Sequence, residues 1–322
     1  LAAILESDPA LPDDMTADPD LAAAATAISG SSRSLAAAAA AEPAALRAAA
    51  AGTIHRVALP DAGVPVDEAV VLIRDQVRRA LLAVAVADLT GAMDMPGVGL
   101  ALSRVADQAA RAALAVATEA AGPGAPPVTV VAMGKWGGRE LNYASDIDAL
   151  FVYRDEGTGA AADLARRVAE TFIDLLSRPT GGGSAFRVDA GLRPEGRAGP
   201  LARTLESYRA YWERGAESWE LQSLLKARFA AGDEQLGNRF LEAAGPFVFP
   251  ETLGADAVRE VRSMKTRAEQ VAEPGDGGVE IKRGVGGIRD VEFSVQLLQL
   301  VHGRSCLLYT SDAADESSRG GG

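Results

Sequence analysis

"GKWGGRELNYASDIDALFVY" occupies residues 134–153. A glycine-rich turn runs into two aspartates at i and i+2, Asp146 and Asp148, and an apolar run follows at once. Along a strand, residues i and i+2 point to the same face. Two carboxylates there form a dense negative site that repels itself unless a cation sits between them. Mg²⁺ takes carboxylate oxygens together with substrate phosphates. The competing reading of D-x-D is a turn cap at Asp146 and a solvated edge at Asp148. The glycine loop before the pair and a third acid after it, Asp189 in "FRVD", favour a metal site. In the loop, Gly134, Gly137 and Gly138 free the backbone for close approach to a ligand, and exposed N–H groups cradle phosphate. Ser145 offers a hydroxyl to the same phosphate, and Lys135 or Arg139 offers positive charge. The spacing of a Walker A loop is absent.

The strand reading extends on both sides. "VTVVAM" (residues 128–133) is β-branched and predicts a strand, and "DIDALFVY" (residues 146–153) predicts a second. Leu164, Val168, Phe172 and Leu175 share one face of a helix expected over residues 163–177. "GGGSAFRVDAGLRP" predicts a turn and a short strand ending near Asp189. Strand, strand, helix, strand begins a small mixed sheet packed on helices, an α+β fold. "GPGAPP" (residues 122–127) breaks the chain before it. The stretch before that break is expected to be helical and partly irregular (residues 1–125). Helices are predicted over residues 66–89 and 98–120, and short, proline-broken ones before residue 60. The catalytic core is expected over residues 126–200. A helical bundle follows over residues 201–304, with helices at 204–213, 217–229, 234–243, 255–271 and 288–301. Trp219, Leu224 and Leu225 are expected in its core.

The net charge of −12 shows no basic face of the kind that wraps nucleic acid, although Arg193, Arg197 and Arg203 make a local basic spacing. A protein or small-molecule partner is expected instead, with no membrane: no run of about 18 apolar residues is present. One cysteine, Cys306, excludes an intrachain disulfide, and two histidines, His55 and His302, argue against zinc. A reduced, cytoplasmic protein is expected. The chain opens on Leu1 without a signal peptide, so a missing natural N-terminus is expected. "CLLYTSDAADE" is similar to a translated sequencing adapter, so residues 305–322 are expected to be a non-native tail.

The Gly–Lys–x–Gly–Gly turn, the Ser–Asp–x–Asp pair and the later strand aspartate resemble the nucleotidyltransferase superfamily related to DNA polymerase β. Three ordered blocks sharpen this: residues 134–153, "FRVDAGLRPEGRAGPLARTLESYRAYWERGAESWELQSLLKAR" (186–228) and "IKRGVGGIRDVEF" (281–293). They resemble the glutamine synthetase adenylyltransferase family of bifunctional adenylyl-transferring and adenylyl-removing enzymes.

That resemblance implies a polymerase-β-like mixed sheet and a site in which Asp146, Asp148 and Asp189 bind Mg²⁺ or Mn²⁺. It implies that Gly134, Lys135 and Ser145 hold phosphate, with Arg193 or Arg197 steadying it; the alternative for either arginine is a salt bridge to Glu195 or Glu206. Lys226 and Arg228 are weaker phosphate neighbours. Arg289, Asp290 and Glu292 either face an anion or tie helices together. Gly191 stands where the family often has arginine, and Trp136 is unusual in the loop. Asn142, where the adenylyl-adding copy more often has glycine, implies the adenylyl-removing half. The implied reaction is removal of AMP from a glutamine synthetase tyrosine by phosphorolysis, releasing ADP. The implied partners are glutamine synthetase and a PII-type signal protein. The alternatives are forward transfer from ATP, or an impaired synthetase-binding module.

Overall fold

The computed structural model describes residues 1–155, 157, 159–249 and 286–302. The expected helix at 255–271, Cys306 and the expected tail lie outside the described residues.

Strand β1 (Val128–Met133) is buried at every position, and β2 (Ile147–Tyr153) at all but Asp148. Both are sandwiched between helical layers, which is why they read as continuous apolar runs rather than alternating ones. They pair antiparallel, with Met133 opposite Asp148. The other edge of β2 is completed by two short parallel strands, β3 (Val188–Asp189) and β4 (Ala202–Thr204). The other edge of β1 takes β5 (Arg228–Gly232), antiparallel, with a register shift between Val130 and Val131. The result is a five-stranded mixed sheet in an α+β protein.

Before the sheet come five short helices, α1 (Ala2–Ser7), α2 (Leu11–Ala17), α3 (Pro19–Ser31), α4 (Arg33–Ala41) and α5 (Pro43–Ala50). Two long ones follow, α6 (Val66–Leu89) and α7 (Met95–Ala121). Helices α1 to α5 pack an alanine- and leucine-rich cluster onto Leu82, Ala85 and Val86 of α6. One turn of helix, α8 (Gly134–Gly137), links β1 to the loop before β2. Helix α9 (Ala161–Ser177) joins α6 and α7 on one sheet face, over Val130, Ala132, Ala149 and Phe151. There the Phe172 ring meets Phe151 edge-on, centroids 5.3 Å apart.

The opposite face presents Val131, Met133, Leu150 and Val152 to α10 (Leu205–Gly215) and α12 (Glu234–Val248). Tyr208, Trp212 and Phe240 form an aromatic cluster there, with centroids 4.9–5.6 Å apart. Gly237 lets α12 lie close on the sheet: a Cβ there would stand 2.7 Å from Phe229 and 2.9 Å from the Thr129 hydroxyl. Helix α13 (Ile288–His302) is the last described element.

The expected helix over residues 217–229 does not form. Helix α11 (Ser218–Ser223) gives way to a 3-10 turn at Leu224–Lys226 and then to β5. Trp219, expected in the core, is 36% exposed, and its indole N–H donates to Glu217. The sheet therefore draws strands from both sides of Pro200.

Truncating Phe172 removes the edge-on ring that seats α9 on the sheet. Phe172→Ala is expected to cost about 3–5 kcal/mol, read as a lower urea midpoint at unchanged m-value.

Candidate active site

The glycine turn is shaped by what presses on it. Gly134 has φ +55°, and a Cβ there would fall 2.3 Å from an Oδ of Asp148. Gly137 is blocked from behind: its Cβ would meet the Lys226 carbonyl at 2.1 Å and the Ala132 carbonyl at 2.7 Å. The backbone neighbours of Gly137 cannot yield at those distances, so glycine is required there; at Gly134 the left-handed φ favours glycine, and any side chain would also displace the Asp148 carboxylate. Backbone bonds from Gly138 N–H to Gly134 O (3.1 Å) and from Glu140 N–H to Lys135 O (3.0 Å) close the turn.

Asp148 shares a sheet face with Leu150 and Val152, the face toward α10 and α12. Across the parallel pairing it lies in register with Asp189 of β3. Burial, then the Asp189 charge, then that of Asp146 push the Asp148 carboxyl up to about 6, and Lys135 opposes the rise. The turn lysine and the three predicted carboxylates therefore share one electrostatic environment at the end of the sheet. Asp146, just before β2, is ion-paired to Arg187 at 2.5 Å. Asp189 accepts the Gly191 N–H at 2.7 Å. Among the described residues, no three Asp, Glu, His or Cys side chains are grouped closely enough to hold a metal ion as they stand. The donors themselves are hard carboxylate oxygens, which suit Mg²⁺ or Mn²⁺. The Asp146–Arg187 pair, with side chains 40% and 73% exposed, is of a kind worth only about 0–1 kcal/mol. Asp146 can therefore exchange its guanidinium for an ion at little cost.

The other expected phosphate ligands divide. Ser145 donates its hydroxyl to Asn142 Oδ1 at 2.7 Å, so the two residues form one turn. Tyr143, in the same loop, donates to Asp88 at 2.9 Å; burial and Asp88 hold its hydroxyl above the ordinary tyrosine range. Arg193 does not point its donors at a ligand. It donates to the carbonyls of Ala190 (2.7 Å), Gly199 (3.1 Å) and Arg197 (3.2 Å), stapling the "LRPEGRAGP" loop. Glu195 pairs with Arg203 instead. Arg197 is exposed, and its side chain makes neither hydrogen bond nor ion pair among the described residues. Lys226 is bound to Glu140 and Arg228 to Asp107, so neither stands free for phosphate. In α13, Asp290 accepts the Gly286 N–H at 2.7 Å, closing that helix's first turn.

Two features carry no local sequence signal. Arg187 neutralises Asp146 from a neighbouring segment. Trp136 is fully buried and donates its indole N–H to Asp107 of α7 at 2.8 Å. The same carboxylate takes both terminal nitrogens of Arg228, at 2.8 and 3.0 Å. Arg228 in turn donates to the Trp136 and Gly137 carbonyls, tying α7, the turn and β5 together.

A family model described as glutamate-ammonia ligase adenylyltransferase matches residues 14–243, more than two thirds of the chain. The chain belongs to the glutamate-ammonia ligase adenylyltransferase family. Its site residues from Lys135 to Arg228 all fall inside the matched stretch. A second model, GlnD PII-uridylyltransferase, matches residues 257–318. Relatives named "bifunctional glutamine synthetase adenylyltransferase/adenylyl-removing enzyme" include one from Mycobacterium leprae, 50% identical over 65% of this chain and 20% of its own length. Others are from Mycobacterium avium, 48% identical over 77% and 24%, and Streptomyces coelicolor, 44% identical over 73% and 24%. The adenylyltransferase-family chain thus spans about a fifth to a quarter of the relatives it matches. No helix among its described residues is long and apolar enough to cross a membrane.

Because Asp148 binds its proton more tightly in the folded protein than in the unfolded chain, folding stability falls as pH rises from the ordinary carboxylate range through about 6. Asp148→Asn is therefore expected to raise the Tm in metal-free buffer at pH 7. Below about pH 4, where both states of the wild type are protonated, that gain should vanish. Melting curves across this range check both the sign and the window.

Proposed function

We propose that this chain is the adenylyl-removing nucleotidyltransferase portion of a bifunctional glutamine synthetase adenylyltransferase, built on a polymerase-β-like sheet. The observation that carries the reading is the in-register pairing of Asp148 with Asp189, with the Gly134 turn pressed against Asp148. That arrangement places clustered negative charge beside a run of close-approach backbone.

Asp146, Asp148 and Asp189 would hold Mg²⁺ or Mn²⁺, which when bound neutralises the charge that develops around phosphorus. The remaining work belongs to the chain. The glycine turn offers backbone N–H groups and Lys135 to the phosphates, and Asp146 would exchange the Arg187 guanidinium for the ion. An oxygen of inorganic phosphate attacks the α-phosphorus of the adenylyl group on the synthetase's tyrosine. The phosphorus–oxygen bond to tyrosine breaks, the phenolate takes a proton, and the new anhydride leaves as ADP. No protein nucleophile enters this step. Asn142, clasping Ser145, favours removal over addition. The uridylyltransferase-model match after residue 256 is in keeping with control by a PII-type signal protein.

Adenylylated glutamine synthetase incubated with this chain, Mg²⁺ and phosphate is expected to release ADP. Activity only with ATP and unmodified synthetase would reverse the direction, and synthetase binding without turnover would leave a docking module. The double substitution Asp146→Asn, Asp148→Asn is expected to lower turnover by at least about a hundredfold while the circular dichroism spectrum is retained; unchanged turnover would remove the carboxylates from the chemistry.

A further inference from the structure

Helix α7 is alanine-rich and mostly buried, but one stripe of it is polar. Ser103, Arg104, Asp107, Gln108 and Arg111 follow at helical spacing. With Arg139 from the glycine loop they line a cavity of about 300 Å³. The charge around it is unbalanced. Its one carboxylate, Asp107, is already engaged by Arg228 and Trp136. The Arg104 and Arg139 side chains make no hydrogen bond or ion pair among the described residues, and the Arg111 side chain donates only to the Ala230 carbonyl at 3.3 Å. Three arginines thus line one cavity with no carboxylate free to pair with them, in a chain of net charge −12. Guanidiniums lining one cavity without a free carboxylate are suited to receive an anion.

The cavity lies on the other side of the sheet from the carboxylates. Helix α7 covers the face of Val130, Ala132 and Ala149, whereas Asp148 belongs with Leu150 and Val152. No aromatic side chain lines it, so nothing stacks on a nucleobase. Arginine forks match oxyanions. Gln108 accepts the Val57 N–H through Oε1 (2.9 Å), leaving its amide nitrogen to donate.

We propose that this cavity is a second binding site, for a small multivalent oxyanion, separate from the adenylyl-transfer site and coupled to it through the glycine turn. The coupling is structural. Arg139 has φ 56°, an uncommon left-handed backbone for arginine. It ends the turn that begins with Gly134 against Asp148. An anion gripping Arg139 therefore acts on the segment that seats the carboxylate.

Calorimetric titration of inorganic phosphate into the 322-residue chain, without metal, tests this. Phosphate should bind, and Arg104→Ala and Arg139→Ala should each weaken it about tenfold, while Asp148→Asn should leave it within about twofold. Arg104 and Arg111 are exposed, so Arg104→Ala is expected to fold; Arg111→Ala, checked by circular dichroism, serves as the second variant and should weaken phosphate similarly. Succinate is the comparison probe: preference for phosphate assigns a phosphoryl ligand, and preference for succinate assigns a dicarboxylate. No binding of either, binding indifferent to all three arginines, or binding abolished by Asp148→Asn would overturn the proposal.

Discussion

Asp148 and Asp189 are register partners on neighbouring parallel strands, and the fold holds these like charges side by side in a half-buried place. The cost is visible in the raised proton affinity of Asp148. Nothing in the packing of β2 requires an acid there: Leu150 and Val152, which follow it on the same face, are ordinary core residues. Most of the local architecture tolerates or serves the pair. Gly134 gives up its Cβ to admit the Asp148 carboxylate, Arg187 balances Asp146, and β3 is cut to two residues so that Asp189 sits at its end. On the proposed function, the half-buried Asp148 carboxylate, held beside Asp189, would be kept for a cation.

A second interaction keeps that end of the sheet in place. The Asp107–Arg228 pair has both side chains only 15% exposed. Breaking such a pair by removing one partner costs about 3–5 kcal/mol, because the other charge is left buried. The pair is satisfied more fully than most: Trp136 fills another acceptor position on Asp107, and Arg228 reaches two turn carbonyls. This gives the tryptophan of the loop a structural role. Its indole reaches back into α7 and fixes the turn from the side away from Asp148.

Much of the sheet and its carboxylates was legible in the sequence, because those signals are local. A β-branched run buried on both faces, an i and i+2 acid pair, and the apolar stripe of α9 each sit within one window. The failures share the opposite property. Residues 217–229 have helical spacing in Trp219, Leu224 and Leu225, and "KARFAAG" contains no β-branched residue to announce a strand. Pairing with β1, roughly a hundred residues earlier, decides the matter. The resemblance offered Arg193 or Arg197 as the residue steadying phosphate, since a guanidinium forks onto oxyanions; only the folded loop shows that Arg193 donates to three carbonyls. Asp107 stands 29 residues from Trp136 and 121 from Arg228, so no spacing rule finds it.

The glycine turn is thus held from two directions. On one side Gly134 takes the pressure of a carboxylate; on the other, Gly137 meets the Lys226 carbonyl and Trp136 is anchored to α7. A segment wedged in this way has few ways to move, and each of them shifts both contacts together. Arg139 leaves the turn in a left-handed backbone and lines the cavity beside α7, so the turn touches the acidic site at its start and the cationic cavity at its end. On the proposed function the acidic site would take a cation, and on the proposed second site the cavity would take an anion. Their charges are opposite, they face opposite sides of the sheet, and a stiff segment of six residues joins them. For that reason the turn, rather than either cluster alone, is the element on which control of the chemistry would have to act.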